Sequence, residues 1–201
     1  EHVRQEVISR YGLRAYKEGW SVYTTIDSQS QNSSVASVLK ELFLYDKRHG
    51  LRKPDNYGNL FSREQKRLLE KSDISFLFDS YYFRDIDLDE DNLPNKLSKI
   101  FDSYAFYRTH MKALIINVTS EKITYINEDF DIGSITWREE YNWAREQISI
   151  NELGPKPSSF NQILSFGDFI YLKVNDDSYI FDQIPNIESS LISINPNSGD
   201  V

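Results

Sequence analysis

Four aspartates alternate through Asp85, Asp87, Asp89 and Asp91, a spacing that invites calcium. An EF-hand loop needs glycine at its sixth position for the sharp turn and a bidentate glutamate at its twelfth. Counting from Asp85 puts Glu90 and Lys96 there, and counting from Asp87 puts Asn92 and Ser98 there. Neither register works, so the stretch reads as a solvated acidic loop that favours the dipole of the helix after it. His2, His49 and His110 are the whole imidazole supply, and nothing near them has ligand spacing. Cysteine is absent, which excludes disulfides, thiolate zinc and cysteine nucleophiles. No metal site and no cofactor site is therefore expected. His49 follows Lys47 and Arg48, a grouping that suits a phosphate or lipid headgroup. A helix C-terminus also favours positive charge, and Gly50 supplies the turn, so a helix cap is the preferred reading. The best ligand-like group is Trp137, Tyr141 and Trp143, with Arg138 and Arg145 to assist. Such rings stack on sugars or bases at a barrel surface, or else seal one end of the barrel. Asn32-Ser33-Ser34 and Asn117-Val118-Thr119 match the glycosylation pattern.

The chain that must position these groups has 201 residues, enough for one ordinary domain or a small domain with flanking pieces. Hydrophobic residues make up 39%, and 13 Tyr with 12 Phe favour strands. With 8 Gly and 6 Pro, long flexible linkers are not expected. A net charge of −8 repels nucleic-acid backbones and anionic lipid. No apolar run approaches the ~20 residues of a membrane span, and no signal peptide is visible. The opening Glu1 and the abrupt finish after a turn sequence read as cuts through a longer chain.

Val3, Val7, Ile8 and Tyr11 share a helical face over Glu1–Tyr11, with Gly12 to end it. Ser21–Ile26 alternates and is rich in β-branched residues, the pattern of a strand. Ser28 and Gln31 fit a capping box, and Val35, Val38, Leu39, Leu42 and Phe43 make an apolar stripe. This predicts a helix over about Gln29–Asp46. Ser62 caps a helix over Arg63–Lys71. Ser75–Phe78 and Tyr81–Phe83 suit strand or helix, and Asn95–Phe101 reads as a short helix. Strands follow at Lys112–Val118, Lys122–Ile126 and Gly133–Trp137. A helical turn is expected within Trp137–Arg145 and a short helix from Ser158 or Ser159 to Leu164. A hairpin is expected over Phe169–Val174 and Ser178–Ile184. Short strands with turn signals from Lys112 to Ile184 indicate a small antiparallel barrel.

Gly19-Trp20-Ser21-Val22-Tyr23-Thr24-Thr25-Ile26-Asp27 and Tyr45-Asp46-Lys47-Arg48-His49-Gly50 resemble two runs of the class A penicillin-binding proteins of the 1A type. Gly154-Pro155-Lys156-Pro157, then Phe166-Gly167-Asp168, is similar to loops of that family's barrel insert. Pro185-Asn186-Ile187-Glu188 leading into Leu191–Asn197 resembles its return into the transpeptidase fold. The likeness implies an α+β chain: a small antiparallel OB-like β-barrel insert flanked by helices and a strand–helix linker segment. Residues 1–54 would be the interdomain linker and the first strand and helix of the transpeptidase. Residues 55–187 would be the insert with its helical approach, the barrel lying at about 108–185. Residues 188–201 would be the first strand of the transpeptidase core.

The resemblance also implies a bifunctional parent that polymerises glycan strands and cross-links peptides, anchored to the inner membrane and facing the periplasm. This region would be a non-catalytic linker and docking segment of that enzyme. The family's transpeptidase uses Ser-x-x-Lys, Ser-x-Asn and Lys-Thr-Gly. Ser37-Val38-Leu39-Lys40 and Ser193-Ile194-Asn195 fit the first two by letters, and Lys-Thr-Gly is missing. Ser37 falls mid-helix and Ser193 in a strand, so no catalytic residue is expected here. Implied partners are the glycosyltransferase and transpeptidase domains of the same chain and, in some relatives, an outer-membrane lipoprotein activator, with no nucleic acid. The alternative is a barrel that itself binds glycan or peptide through Trp137, Tyr141 and Trp143.

Overall fold

The structure is a computed structural model, and it describes residues 2–71, 93–175 and 178–199. The acidic loop Asp85–Asp91 and the aromatic runs Ser75–Phe78 and Tyr81–Phe83 lie outside those residues. The chain divides into two compact units, one of Glu1–Leu39 with Ser189–Val201 and one of Lys40–Glu188.

In the first unit, helix α1 (His2–Tyr11) is followed by the single turn α2 (Arg14–Lys17). Gly12, at φ +66°, ends α1 by donating its N–H to the Ile8 carbonyl at 2.8 Å. Helix α3 (Ser28–Arg48) begins in this unit and runs into the other. Its cap is Asp27, whose carboxylate accepts the Ser30 N–H at 2.7 Å, not the expected Ser28–Gln31 box. Those hydrogen bonds to Ser30 hold the Asp27 carboxyl below the usual carboxylate range. The expected strands at Ser21–Ile26 and Leu191–Asn197 are absent: both segments lack regular pairing. Alternation marks a segment fit for a sheet, but a strand exists only when a neighbour takes up its backbone hydrogen bonds. No described residue supplies one to either segment.

The second unit carries helix α4 (Arg63–Glu70), helix α5 (Leu93–Ser103) and the main sheet. Ser62 caps α4, as expected, and does so in a full capping box with Gln65. The sheet strands are β1 (His110–Val118), β2 (Lys122–Asn127), β3 (Ile132–Thr136), β6 (Phe169–Asn175) and β7 (Ser178–Asp182). Their order is β3-β2-β1-β6-β7, all antiparallel. The edge strands β3 and β7 approach each other, so the sheet curls into a half-barrel. A separate hairpin, β4 (Gln147–Ser149) with β5 (Glu152–Leu153), stands outside the main sheet, and the sequence did not reveal it. The helical turn expected within Trp137–Arg145 is a 3-10 turn at Glu139–Trp143, and the short helix expected from Ser158 or Ser159 to Leu164 is a 3-10 turn at Phe160–Gln162.

Strand β1 is apolar on both faces because the sheet has a core on each side. Ala113 and Ile115 face the cluster that holds Tyr141, Phe160 and Phe181. Leu114 and Ile116 face the cluster built with Leu69 of α4 and with Leu97 and Phe101 of α5. Lys112 interrupts this run yet is buried; its ammonium donates to the Phe101 carbonyl at 2.7 Å and lies 3.6 Å from Glu128. That pairing satisfies the charge and ties α5 to the sheet.

Candidate functional site

The apolar stripe of α3 ends on a carboxylate. Leu42 and Phe43 are half-buried, while Asp46, one turn on, is the helix's buried residue at 4% exposure. The helix then stops sharply. His49 Nδ1 meets the Tyr45 carbonyl at 2.8 Å, as a cap should, and Gly50 turns the chain at φ +84°. A Cβ at position 50 would stand 2.5 Å from the Arg145 carbonyl oxygen and 2.7 Å from a Leu153 methyl. Glycine is required there twice, for the backbone angle and for the close approach.

Around Asp46 the two arms of the barrel meet. The ingoing arm brings Arg52, whose guanidinium lies 2.5 Å from Asp46 Oδ1. The outgoing arm brings Gln183, which donates to Asp46 Oδ2 at 2.6 Å, and the Asn186 N–H, 3.3 Å from Oδ1. The arms also bond directly. The Arg52 N–H donates to Gln183 Oε1 at 2.8 Å, Gln183 Nε2 reaches the Gly50 carbonyl at 3.1 Å, and the Arg52 guanidinium donates to the Ile184 carbonyl. One carboxylate thus receives donors from both chain connections of the barrel. An unpaired charge at that depth would cost several kcal/mol, so the cluster forms as a whole.

A second polar cluster lies one helical step away. Lys47 reaches Asp182 Oδ1 at 2.9 Å, and its ammonium sits over the Trp143 ring, 5.1 Å from the centroid. Buried His110 presents Nε2 to Asp182 Oδ2 at 3.6 Å, while its ring stacks on Phe43 of α3. Burial alone would push the Asp182 carboxyl up. His110, the Lys47 charge and the Gln183 N–H together outweigh burial and hold it below the usual carboxylate range.

This arrangement fastens; it holds no assembled nucleophile. The Ser37 hydroxyl donates back to the Ser33 carbonyl of its own helix at 2.8 Å. Ser193 lies in an exposed segment without regular pairing. Among the described residues no group of His, Asp and Glu is placed to hold a metal ion, and no helix is long and apolar enough to cross a membrane.

The five residues singled out from the sequence do not form one surface. Tyr141 is 1% exposed, in the core beside Phe160 and Phe181, which corrects its expected place on a binding face. The ring is too large and too well surrounded by aromatics to stay at the rim. Trp137 is half-buried and meets Tyr141 and Phe160 edge-on. Trp143 is half-buried against Phe181 and belongs with the Lys47 cluster. Arg138 is exposed and faces Glu140 at 3.4 Å. Arg145 is committed to the carbonyls of Leu153 and Gly154, at 3.2 and 2.6 Å. The residues missed were Asp46, Arg52, Asp182 and Gln183. The available signal was Asp46 at a position of the α3 stripe where an apolar residue belongs.

A family model described as the penicillin-binding protein OB-like domain matches residues 83–187. Penicillin-binding protein 1A of Escherichia coli (strain K12) is 28% identical over 201 residues, covering 100% of this chain and 20% of the relative. Penicillin-binding protein 1A of Pseudomonas aeruginosa is 29% identical over 204 residues, covering 100% of this chain and 21% of the relative. The chain therefore spans about a fifth of the length of these relatives. The crystal structure of penicillin-binding protein 1A from Haemophilus influenzae covers 92% of this chain, and the chain covers 22% of it. The TM-score is 0.52 at 18% identity, a likeness of fold. The OB-like match takes in every strand of the curled sheet and extends over more than half of the residues, so the chain belongs to the penicillin-binding protein OB-like domain family.

Proposed function

We propose that this chain is the non-catalytic linker and docking region of a bifunctional peptidoglycan synthase. Its parent would polymerise glycan and cross-link peptides at the periplasmic face of the inner membrane. The observation that carries the reading is the Asp46 junction. A single buried carboxylate joins the end of α3, the ingoing arm at Arg52 and the outgoing arm at Gln183. An insert needs such a fastening to be held in a fixed attitude to the helix that leads into it. A barrel on two loose arms would transmit nothing, because a partner shifts an equilibrium only through differential contact with two defined arrangements. The partners this role requires are the parent's two catalytic domains and, on the barrel's outer surface, a regulatory protein such as an outer-membrane lipoprotein.

The test is made in the full-length parent. Asp46→Ala should lower coupled glycan polymerisation and peptide cross-linking, while penicillin labelling of the transpeptidase persists. Asp46→Asn, whose amide N–H2 would face donors that the carboxylate accepts, should lower the coupled activity as well. Unchanged coupled activity in a variant whose junction is demonstrably loosened would remove the positional role.

A further inference from the structure

Four carboxylate or ammonium side chains are buried among the described residues: Asp46, Lys112, Asp168 and Asp182. Three of them have an ionic partner. Asp46 has Arg52 at 2.5 Å, Lys112 has Glu128 at 3.6 Å, and Asp182 has Lys47 at 2.9 Å. Asp168, at 6% exposure, has no ion pair among the described residues. Its two oxygens accept one neutral donor each, the Asn56 amide at 2.7 Å and the Ser165 N–H at 2.7 Å. A carboxylate offers about four acceptor positions, so about two stay open. Burial pushes the Asp168 carboxyl up, and the Asn56 amide, the Ser165 N–H and the more distant Lys53 charge do not offset it. A buried charge without a counter-charge is costly, and a cationic ligand would remove that cost.

Asp168 lines a cleft of about 390 Å³, within the roughly 300–1,000 Å³ of small-ligand sites. Pro54, Ile163 and Leu164 supply aliphatic lining, and the exposed Lys53 and Glu146 line the cleft as well. Neither Lys53 nor Glu146 is in an ion pair among the described residues. Arg52 also borders the cleft, but its charge is taken up by Asp46. The uncommitted charges are therefore Asp168 and Glu146 against Lys53, a surplus of one negative charge. The backbone around Asp168 is fixed. Gly167 turns the chain at φ +87°, its carbonyl accepts the Tyr57 N–H at 2.7 Å, and the Phe169 N–H donates to the Asp55 carbonyl at 2.8 Å. A site set before binding loses little freedom on contact, which favours affinity.

The ligand this calls for carries one positive charge on an aliphatic stem. A guanidinium binds a carboxylate best as a fork on two parallel acceptors, and both Asp168 oxygens already take a fixed donor. An ammonium is a compact point charge with three rotatable donors, and it can use single open lone pairs on Asp168 and Glu146. Its methylenes suit the aliphatic lining. A polyamine would bring further positive charge against Lys53, so a single charge fits better. We propose that the cleft between the ingoing arm and the loop 161–168 receives a lysine side chain from an extended segment of a partner protein. The stem lies along Pro54, Ile163 and Leu164, and the ammonium meets Asp168 and Glu146. This site goes beyond the positional role of the Asp46 junction and does not rest on it.

The experiment is an amide-resolved NMR titration of this chain with the end-blocked tripeptide Ala-Lys-Ala, with its norleucine counterpart and spermidine in parallel. Saturable shifts are expected at residues 53–56, 146 and 161–168 with the lysine peptide. The norleucine peptide keeps the stem and lacks the charge, and should bind on the order of tenfold more weakly, the loss of a charge-assisted hydrogen bond. The carboxyl carbon of Asp168, followed against pH, should titrate at lower pH when the lysine peptide is bound. Asp168→Asn should weaken binding by a similar factor. Should that change disturb its own turn, Glu146→Gln alters only an exposed side chain and should weaken binding a few-fold, while Lys53→Gln removes a competing cation and should tighten it a few-fold. Absence of saturable shifts with the lysine peptide overturns the proposal. So do equal binding of the norleucine peptide, an Asp168 titration that the peptide leaves in place, and weaker binding to Lys53→Gln. Spermidine binding more tightly than the peptide overturns the assignment to a protein side chain. None of these outcomes bears on the Asp46 junction, which its own variants test.

Discussion

Removing the Asp46 carboxylate should be among the most damaging single changes in this chain. Asp46→Ala leaves the Gln183 amide buried without its acceptor at 2.6 Å and the Arg52 guanidinium without its partner at 2.5 Å. A stranded buried donor costs about 1–3 kcal/mol, and breaking a fully buried ion pair about 3–5 kcal/mol. The Arg52 side chain is 33% exposed, so water recovers part of its loss and the ionic share must be discounted. The expected total is about 3 kcal/mol, equivalent to a fall in Tm of roughly 6–12 °C for a chain of this size. Asp46→Asn keeps one acceptor but loses the charge and turns an amide N–H2 toward donors on the other side, so it should cost nearly as much as the alanine variant. Urea unfolding followed by tryptophan fluorescence measures both, through the midpoint at constant m-value. A loss under about 1 kcal/mol for the alanine variant would show that Asp46 does not hold the two arms.

Other expectations follow from the same contacts. Gly50→Ala should destabilise by about 2 kcal/mol or more in the same urea assay, since it combines a left-handed backbone with a Cβ 2.5 Å from a carbonyl oxygen; a neutral result would refute the close approach. Tyr141→Phe should be neutral or mildly stabilising, because the buried hydroxyl finds no hydrogen-bond partner of good geometry; a loss above about 1 kcal/mol would reveal a partner. The folded-state pKa of Asp182 lies below its unfolded value, so its contribution is present above about pH 4 and is lost as pH falls through the folded pKa. Acid titration of Asp182→Asn should show a flatter decline below that point, and an identical acid limb would count against the pairing. Burial raises the Tyr125 and Tyr171 phenols to about 12 and Tyr104 beyond that, with hydrogen bonds to Asp55 and Tyr57 adding to the last. Their folded forms retain the proton, so stability is full below about pH 10 and falls above it. Absorbance at the phenolate band should show these tyrosines ionising together with unfolding rather than before it.

The secondary structure of the barrel was largely legible because its signals are local. Ser62 caps the helix that it immediately precedes, and the turn residues delimit each hairpin strand. The β1 run read correctly because a strand between two cores is apolar on both faces. What failed was whatever depends on a distant partner. Ser21–Ile26 and Leu191–Asn197 have strand-like composition without a neighbouring strand among the described residues. Tyr141, Trp137 and Trp143 stood open between a ligand face and the closed end of the barrel, because composition cannot tell a ring that closes a core from one that lines a groove. The Asp46 junction was hidden for a similar reason. Its donors come from Arg52 close by and from Gln183 and Asn186, 137 and 140 residues further along, and no periodicity links them. The β4–β5 hairpin is too short, at three and two residues, for alternation to show.

The central claim is that the end of α3 and the two arms of the barrel are one mechanical piece. Native-state hydrogen exchange on this chain tests it most directly. If the junction holds, the slow amides of the last two turns of α3 and of Leu51 and Arg52 open with the same free energy as those of β6 and β7, and Asp46→Ala lowers them all together. Exchange at the end of α3 that is already fast in the wild-type chain, or that is untouched by Asp46→Ala while the sheet weakens, would contradict the account.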